Sequence, residues 1–148
     1  MKEEPGFITK FFDKDFETKT IFQLIKAPVD SISGVSATDA EDLKKAFGIK
    51  TVEDLATNKY VRLAQALNIF SENSGLILDK KFEAEEFKNL ADKPVYAISG
   101  VSESDATLLK KAFGIDTIKD LAENKYVTIA QSTISLATLV AFLEAANL

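Results

Sequence analysis

A stretch of this sequence occurs twice, and that duplication limits what the chain can fold into more than any other feature it carries. Pro28-Val29 returns as Pro94-Val95, ISGVS at 32–36 returns at 98–102, LKKAFGI at 43–49 at 109–115, and NKYV at 58–61 at 124–127, always 66 residues on. Between Ala27 and Gln65, 26 of 39 positions are identical to their counterparts from Lys93 to Gln131. The same offset sets Phe11-Phe12-Asp13-Lys14-Asp15-Phe16 against Ile77-Leu78-Asp79-Lys80-Lys81-Phe82. A unit repeated at a fixed period is one supersecondary structure that buries its apolar side against a neighbour. The expected organisation is an N-terminal head at 1–10, one repeat at 11–76, and a second at 77–148 that ends in an apolar helix. Ser71-Glu72-Asn73-Ser74-Gly75 is the polar, turn-prone joint between them.

Each copy reads as helices. Phe16, Ile21, Leu24 and Ile25 fit an amphipathic first helix, as do Phe82, Phe87 and Leu90 in the second copy. Pro28 and Pro94 end it, because the residue before a proline is pushed out of the α region. Ser36-Ala37-Thr38-Asp39 and Ser102-Glu103-Ser104-Asp105 have the spacing of a capping box with an acid in the place of Glu, so a helix starts at each. Ala40, Leu43, Ala46 and Phe47 supply the apolar stripe, and Gly48 supplies a left-handed stop. Thr51 to Asp54 and Thr117 to Asp120 open a third helix by the same cap logic, and a fourth begins near Asn58 and Asn124. Strand-like alternation is absent. The expected class is all-α: two tandem helical repeats of about 66 residues, packed with pseudo-symmetry.

Composition narrows function. The chain has no Cys, His or Trp, which removes disulfides, thiolate nucleophiles, His general bases and Cys/His metal sites. The remaining acids are scattered, and no P-loop, GxGxxG, HExxH or GxSxG pattern occurs, so no catalysis, cofactor or metal is expected. The charged start Met1 to Pro5 is followed by no apolar leader, and the expected location is cytoplasmic. Both copies are slightly acidic within a net charge of −5, so neither is a basic nucleic-acid arm. Tyr126 to Leu143 holds 18 residues without a charge, but Thr128, Gln131, Ser132, Thr133, Ser135 and Thr138 weigh against a lipid-facing span. No membrane association is expected. The helix from Val127 to Leu143 is apolar on most sides, which calls for burial between the repeats or against a second copy.

The spacing Ile32-x-Gly34-Val35-Ser36-x3-Ala40-x2-Leu43 resembles a helix-hairpin-helix (HhH) motif, and Ile98-x-Gly100-Val101-Ser102-x3-Ala106-x2-Leu109 resembles it equally. The continuation from Ala46 to Ala56 is similar to the Gly-Ile-x-Thr-Val-x-Asp-Leu stretch that follows such hairpins in the N-terminal domains of recombinases. The resemblance implies that the turns Gly34, Val35, Ser36 and Gly100, Val101, Ser102 bring backbone N–H groups up to a phosphate. Orphan amides and the positive end of a helix make such an anion site, which grips nucleic acid without reading bases. Lys44, Lys45, Lys110 and Lys111 are the candidate phosphate-facing cations.

Both copies replace the second hairpin glycine with serine, whose hydroxyl can bond the same amides. Asp39 and Asp105 add carboxylates in the first turn, where a phosphate would sit. Two like charges 4 Å apart repel by about 4 kcal/mol at an effective dielectric near 20. One amide hydrogen bond contributes about 1 kcal/mol net, so the phosphate loses. The lysine pairs read more simply as a solvated face at a helix C-terminus, Gly34 and Gly100 as turn glycines, and most of the 11 Phe residues as core rather than as the lining of an apolar-ligand cavity. Tyr60/Tyr126 and Gln65/Gln131, retained in both copies, call for buried polar partners. In the head, Phe7, Phe11 and Phe12 either close the open end of the first repeat or enter a partner, and Leu136, Leu139 and Phe142 are the matching interface candidates at the other end. The expected function is a non-enzymatic interaction or scaffold protein that binds a protein partner or itself. The alternative is sequence-independent binding of the DNA backbone through the two hairpins.

Overall fold

The computed structural model describes residues 8–16, 19–82 and 85–147. Among them the regular elements are helices, and the only strand-like pairings are three isolated bridges, so the protein is all-α. Eight α-helices follow in order: α1 (Ile21–Lys26), α2 (Ala37–Phe47), α3 (Val52–Thr57), α4 (Lys59–Ile77), α5 (Glu85–Lys88), α6 (Glu103–Phe113), α7 (Ile118–Ala122) and α8 (Lys125–Ala146). Short 3-10 turns fill the connections.

Local side chains set the helix starts. Ser36, Thr51, Ser102 and Thr117 each accept from the amide three residues on, and the Asp at that position accepts from the cap amide in return. Asn58 and Asn124 cap α4 and α8 by accepting from two amides each. Gly48 and Gly114 end α2 and α6 at φ 70° and 68°, in the left-handed region that glycine enters without strain. These expectations hold in detail.

The first helix and the joint do not. Phe16 lies in a separate 3-10 turn, Lys14–Phe16, and α1 starts at its own capping box, Thr20 with Gln23. In the second copy Phe82, Phe87 and Leu90 fall in three short elements, with Phe87 turned edge-on to Phe70 of α4 at 5.4 Å. The expected break at Ser71 to Gly75 is absent, and α4 runs through it. Its small polar side chains are packing elements: Ser71 and Ser74 are buried, and Ser71 Oγ donates to the Lys88 carbonyl at 2.7 Å while accepting from the Ala91 amide. Asn73 donates back to the Ile69 carbonyl, four residues earlier, and so stays compatible with the helix.

One apolar core runs through the whole chain. Ile32, Leu43 and Val61 belong to the same cluster as Ile98, Leu109 and Val127. The most extensive helix contact is α2 on α6, followed by α4 on α7 and α3 on α8. Each long helix therefore packs on the third helix of the other sequence copy. Where these helices meet, Gln65 and Gln131 exchange amide hydrogen bonds of 2.8 and 2.9 Å. Each also donates to the C-terminal carbonyl of a third helix, Gln65 to Ala122 and Gln131 to Ala56. Gln65→Ala is expected to cost about 1–2 kcal/mol in chemical denaturation, since it strands the Gln131 amide and the Ala122 carbonyl. Adding Gln131→Ala should cost much less than its own single effect, because the pair acts as one unit.

Candidate functional site

The two hairpin turns are the candidate site. In the first, a 3-10 turn at Val29–Ser31 leads into a four-residue turn closed by the Val35 amide on the Ile32 carbonyl at 3.0 Å. Gly34 occupies its third position at φ 96°, and Gly100 repeats this at φ 97°. A bracing contact pins the strand-like entry to each turn against the start of the third helix of the same copy, α3 in the first and α7 in the second. Val29 donates to Lys50 and Val52 to Ala27, and 66 residues on Val95 donates to Asp116 and Ile118 to Lys93.

The anion-binding end of each following helix is occupied by the chain's own oxygens. The Ser36 amide donates to Asp39 Oδ2 at 3.1 Å, and the Asp39 amide donates to Ser36 Oγ at 3.0 Å. Ser102 and Asp105 repeat this at 3.1 and 2.9 Å. A phosphate approaching these amides meets a carboxylate already bonded there. The Val35 and Val101 side chains are buried in the core, and their amides donate to the Ile32 and Ile98 carbonyls within the turns. Lys44, Lys45, Lys110 and Lys111 are exposed at the other end of α2 and α6. Lys44 is eight residues past the Ser36 cap, about 12 Å along the helix axis, so these cations do not flank the hairpin. Lys110 pairs with Asp116 at 3.3 Å on the surface.

The hairpin carbonyls are engaged too. Tyr126 Oη donates to the Gly34 carbonyl at 3.3 Å, and Tyr60 Oη reaches the Gly100 carbonyl at 3.5 Å. Each tyrosine thus leaves its own copy to close the hairpin of the other. Its ring is held by a phenylalanine of its own copy, Phe113 for Tyr126 at 4.7 Å and Phe47 for Tyr60 at 4.8 Å. A lysine ammonium, Lys125 or Lys59, lies 5.0 Å from the ring centroid. Retention of both tyrosines marked them in the sequence, but partners 92 and 40 residues away could not be read there.

The first residues of the first repeat are fixed to its hairpin. Phe12 bridges to Ile32, the Asp13 amide donates to Ser31 and the Ser33 amide to Phe11. Phe12 is core, 2% exposed, and this corrects its place among the interface residues. Phe11 packs partly buried against the same core, and Phe7 lies outside the described residues. Phe11, Tyr126 and Ile129 wall an open groove of about 670 Å³ beside the hairpin. Of the described phenylalanines only Phe11 lines the groove; Phe12 is in the core, and Phe16, Phe47 and Phe113 pack against the core. At the opposite end α8 is not buried on several faces, contrary to its composition. Val127, Ala130, Thr133 and Ala137 face inward, while Leu136, Leu139 and Phe142 are 38%, 51% and 67% exposed.

Among the described residues no group of three or more acids is placed to hold a metal ion. One carboxylate is perturbed. Partial desolvation raises Asp120, but the amides of Thr117 and Asp116, the Thr117 hydroxyl and Lys119 outweigh this and hold it below the ordinary value near 3.8. A group depressed by folding contributes stability above its unfolded value and loses it as pH falls through the folded one. Melting temperature measured from pH 5 to pH 2 should therefore fall less steeply in Asp120→Asn than in the parent, the two curves converging at the acid end.

Fold and site together define an all-helical domain in which each hairpin helix has two of its cap amides bonded to the chain's own Ser and Asp side chains. The family described as a domain of unknown function, DUF4332, matches residues 33–139, most of the chain, and the protein belongs to that family. No curated protein and no solved structure matches it.

Proposed function

We propose that this chain is a non-enzymatic helical interaction module made of two tandem HhH-like copies, 11–76 and 77–148 behind a short head, that binds a protein partner or a second copy of itself. The copies pack about an approximate twofold axis. The contacts that support this come in pairs 66 residues apart: Tyr60 on Gly100 with Tyr126 on Gly34, the Gln65–Gln131 exchange, and the bracing bonds of the two hairpins. The observation that carries the reading is the state of the hairpin amides. Ser36 with Asp39 and Ser102 with Asp105 fill the positions a nucleic-acid phosphate would take.

Retardation of duplex DNA and of single-stranded RNA tests it, with micromolar protein and low salt, where backbone contacts are strongest. No retardation is expected. Retardation that weakens steeply with salt, and that Lys44→Glu combined with Lys110→Glu abolishes on any sequence alike, would establish backbone binding in place of this reading.

A further inference from the structure

Among the described residues nothing packs over the outer face of α8. Thr128, Ser132, Ser135, Leu139, Phe142 and Ala146 are all exposed and recur at alternating steps of four and three, the spacing of a coiled-coil seam. No charged side chain interrupts that face from Tyr126 to Leu143. A shallow depression on it is lined by α8 residues alone, and at its N-terminal end Thr128 and Ser132 also border the groove walled by Phe11. The equivalent face of α4 differs: it carries Arg62 and Asn73 at the matching positions.

We infer that this seam pairs with the same seam of a second copy, the two α8 helices running antiparallel. This rests on the interaction-module reading and names its partner and surface. The side-chain sizes select the orientation. An antiparallel pair centred at the level of Ala137 sets Ser135 against the other copy's Leu139, Ser132 against its Phe142, and Thr128 against its Ala146. The two largest side chains of each seam then enter the gaps left by serines, and the helix dipoles oppose. A parallel pair stacks Phe142 on Phe142 and leaves the serines facing each other across a void. Leu136 and Leu143 flank the seam and extend the covered area. Two such helices cover roughly 600 Å² per copy, somewhat below the ~800 Å² of a standard stable interface, so a reversible rather than an obligate dimer is expected.

A lipid bilayer is the competing occupant. The stretch Ile118–Ala146, which contains α8, is long and apolar enough by length and composition to cross one. Crossing would require Gln131 to leave Gln65 and the inner face of α8 to leave α1 and α3. A helix lying in the headgroup layer instead needs a strongly charged polar face, and the central 18 residues of α8 have no charge.

Sedimentation of the full chain across about 1–500 μM tests the inference, read together with cross-linking through single introduced cysteines, which are unambiguous because the chain has none. The mean mass is expected to climb from 16.2 kDa toward twice that value. Leu139→Glu, an exposed position, should leave the melting temperature unchanged and shift the association midpoint at least about tenfold. Leu136→Cys, near the dyad, should cross-link to itself. Phe142→Cys should not, since an antiparallel pair holds those residues about 15 Å apart along the axis. A monomer at every concentration overturns the inference and leaves the module reading intact, whereas nucleic-acid retardation overturns the module reading whatever the mass. A dimer insensitive to Leu139→Glu, or one linked through Phe142→Cys, overturns the seam. Flotation with vesicles of neutral phosphatidylcholine, lost in Leu139→Glu, would assign the face to membrane instead.

Discussion

Gly34→Ala is expected to lower the melting temperature by roughly 5–15 °C, from a destabilisation of about 2–4 kcal/mol in a domain of this size. Two costs combine. At φ 96° an alanine sits in a region that L side chains rarely adopt. Its Cβ would also lie 2.6 Å from Tyr126 Oη, with the ring carbons at 3.3 and 3.4 Å. That hydroxyl is the far end of a side chain, but the ring is packed on Phe113 and cannot swing away freely. Gly100→Ala should behave alike, meeting Tyr60 Oη at 2.7 Å. A double-mutant cycle separates the two costs. Tyr126→Phe removes the closest atom, so Gly34→Ala in that background should lose less stability, while the backbone strain persists. Additive effects in calorimetry would show that the tyrosine does not touch the turn.

Leu109→Ala should cost about 2–5 kcal/mol, because it opens a cavity in the shared core, where Leu109 is 1% exposed. The more informative readout is where the loss is felt. Because one core cluster spans both copies, amide hydrogen exchange in α2, α3 and the first half of α4 should accelerate by the same factor as in α6, α7 and α8. Acceleration confined to the second copy would show that the two halves unfold independently.

The parts of this fold legible in the sequence are those whose physics spans a few residues. A Ser, Thr or Asn cap and the Asp three positions on are read directly, and so is a glycine that closes a helix, because both partners lie within one turn of chain. Thr20 with Gln23 obeys the same rule and was equally readable. Ser71 to Gly75 shows where such reading misleads. In a local window, serine, asparagine and glycine signal a turn. In the fold, Ser71 is a small buried group whose partners, the Lys88 carbonyl and the Ala91 amide, lie 17 and 20 residues away. The candidate site was legible in the same uneven way. The serine and aspartate that fill the hairpin's amides are visible from spacing alone, whereas the tyrosine that closes the hairpin comes from the other copy. Which faces of α8 are covered within one chain was not legible, because composition counts apolar residues without saying which of them find a neighbour.

Reciprocal closure of the hairpins bears on how such a molecule could arise. A polypeptide carrying only one copy has a tyrosine with no turn to close and a turn with no tyrosine, and it completes both by meeting its twin. Two identical halves would each carry the same outer helix, so an assembly built from them would present two of the seams proposed above instead of one. Joining the halves in one chain lets them diverge, so that α4 keeps the polar Arg62 and Asn73 where α8 has Thr128 and Leu139. One adhesive edge per molecule stops growth at two.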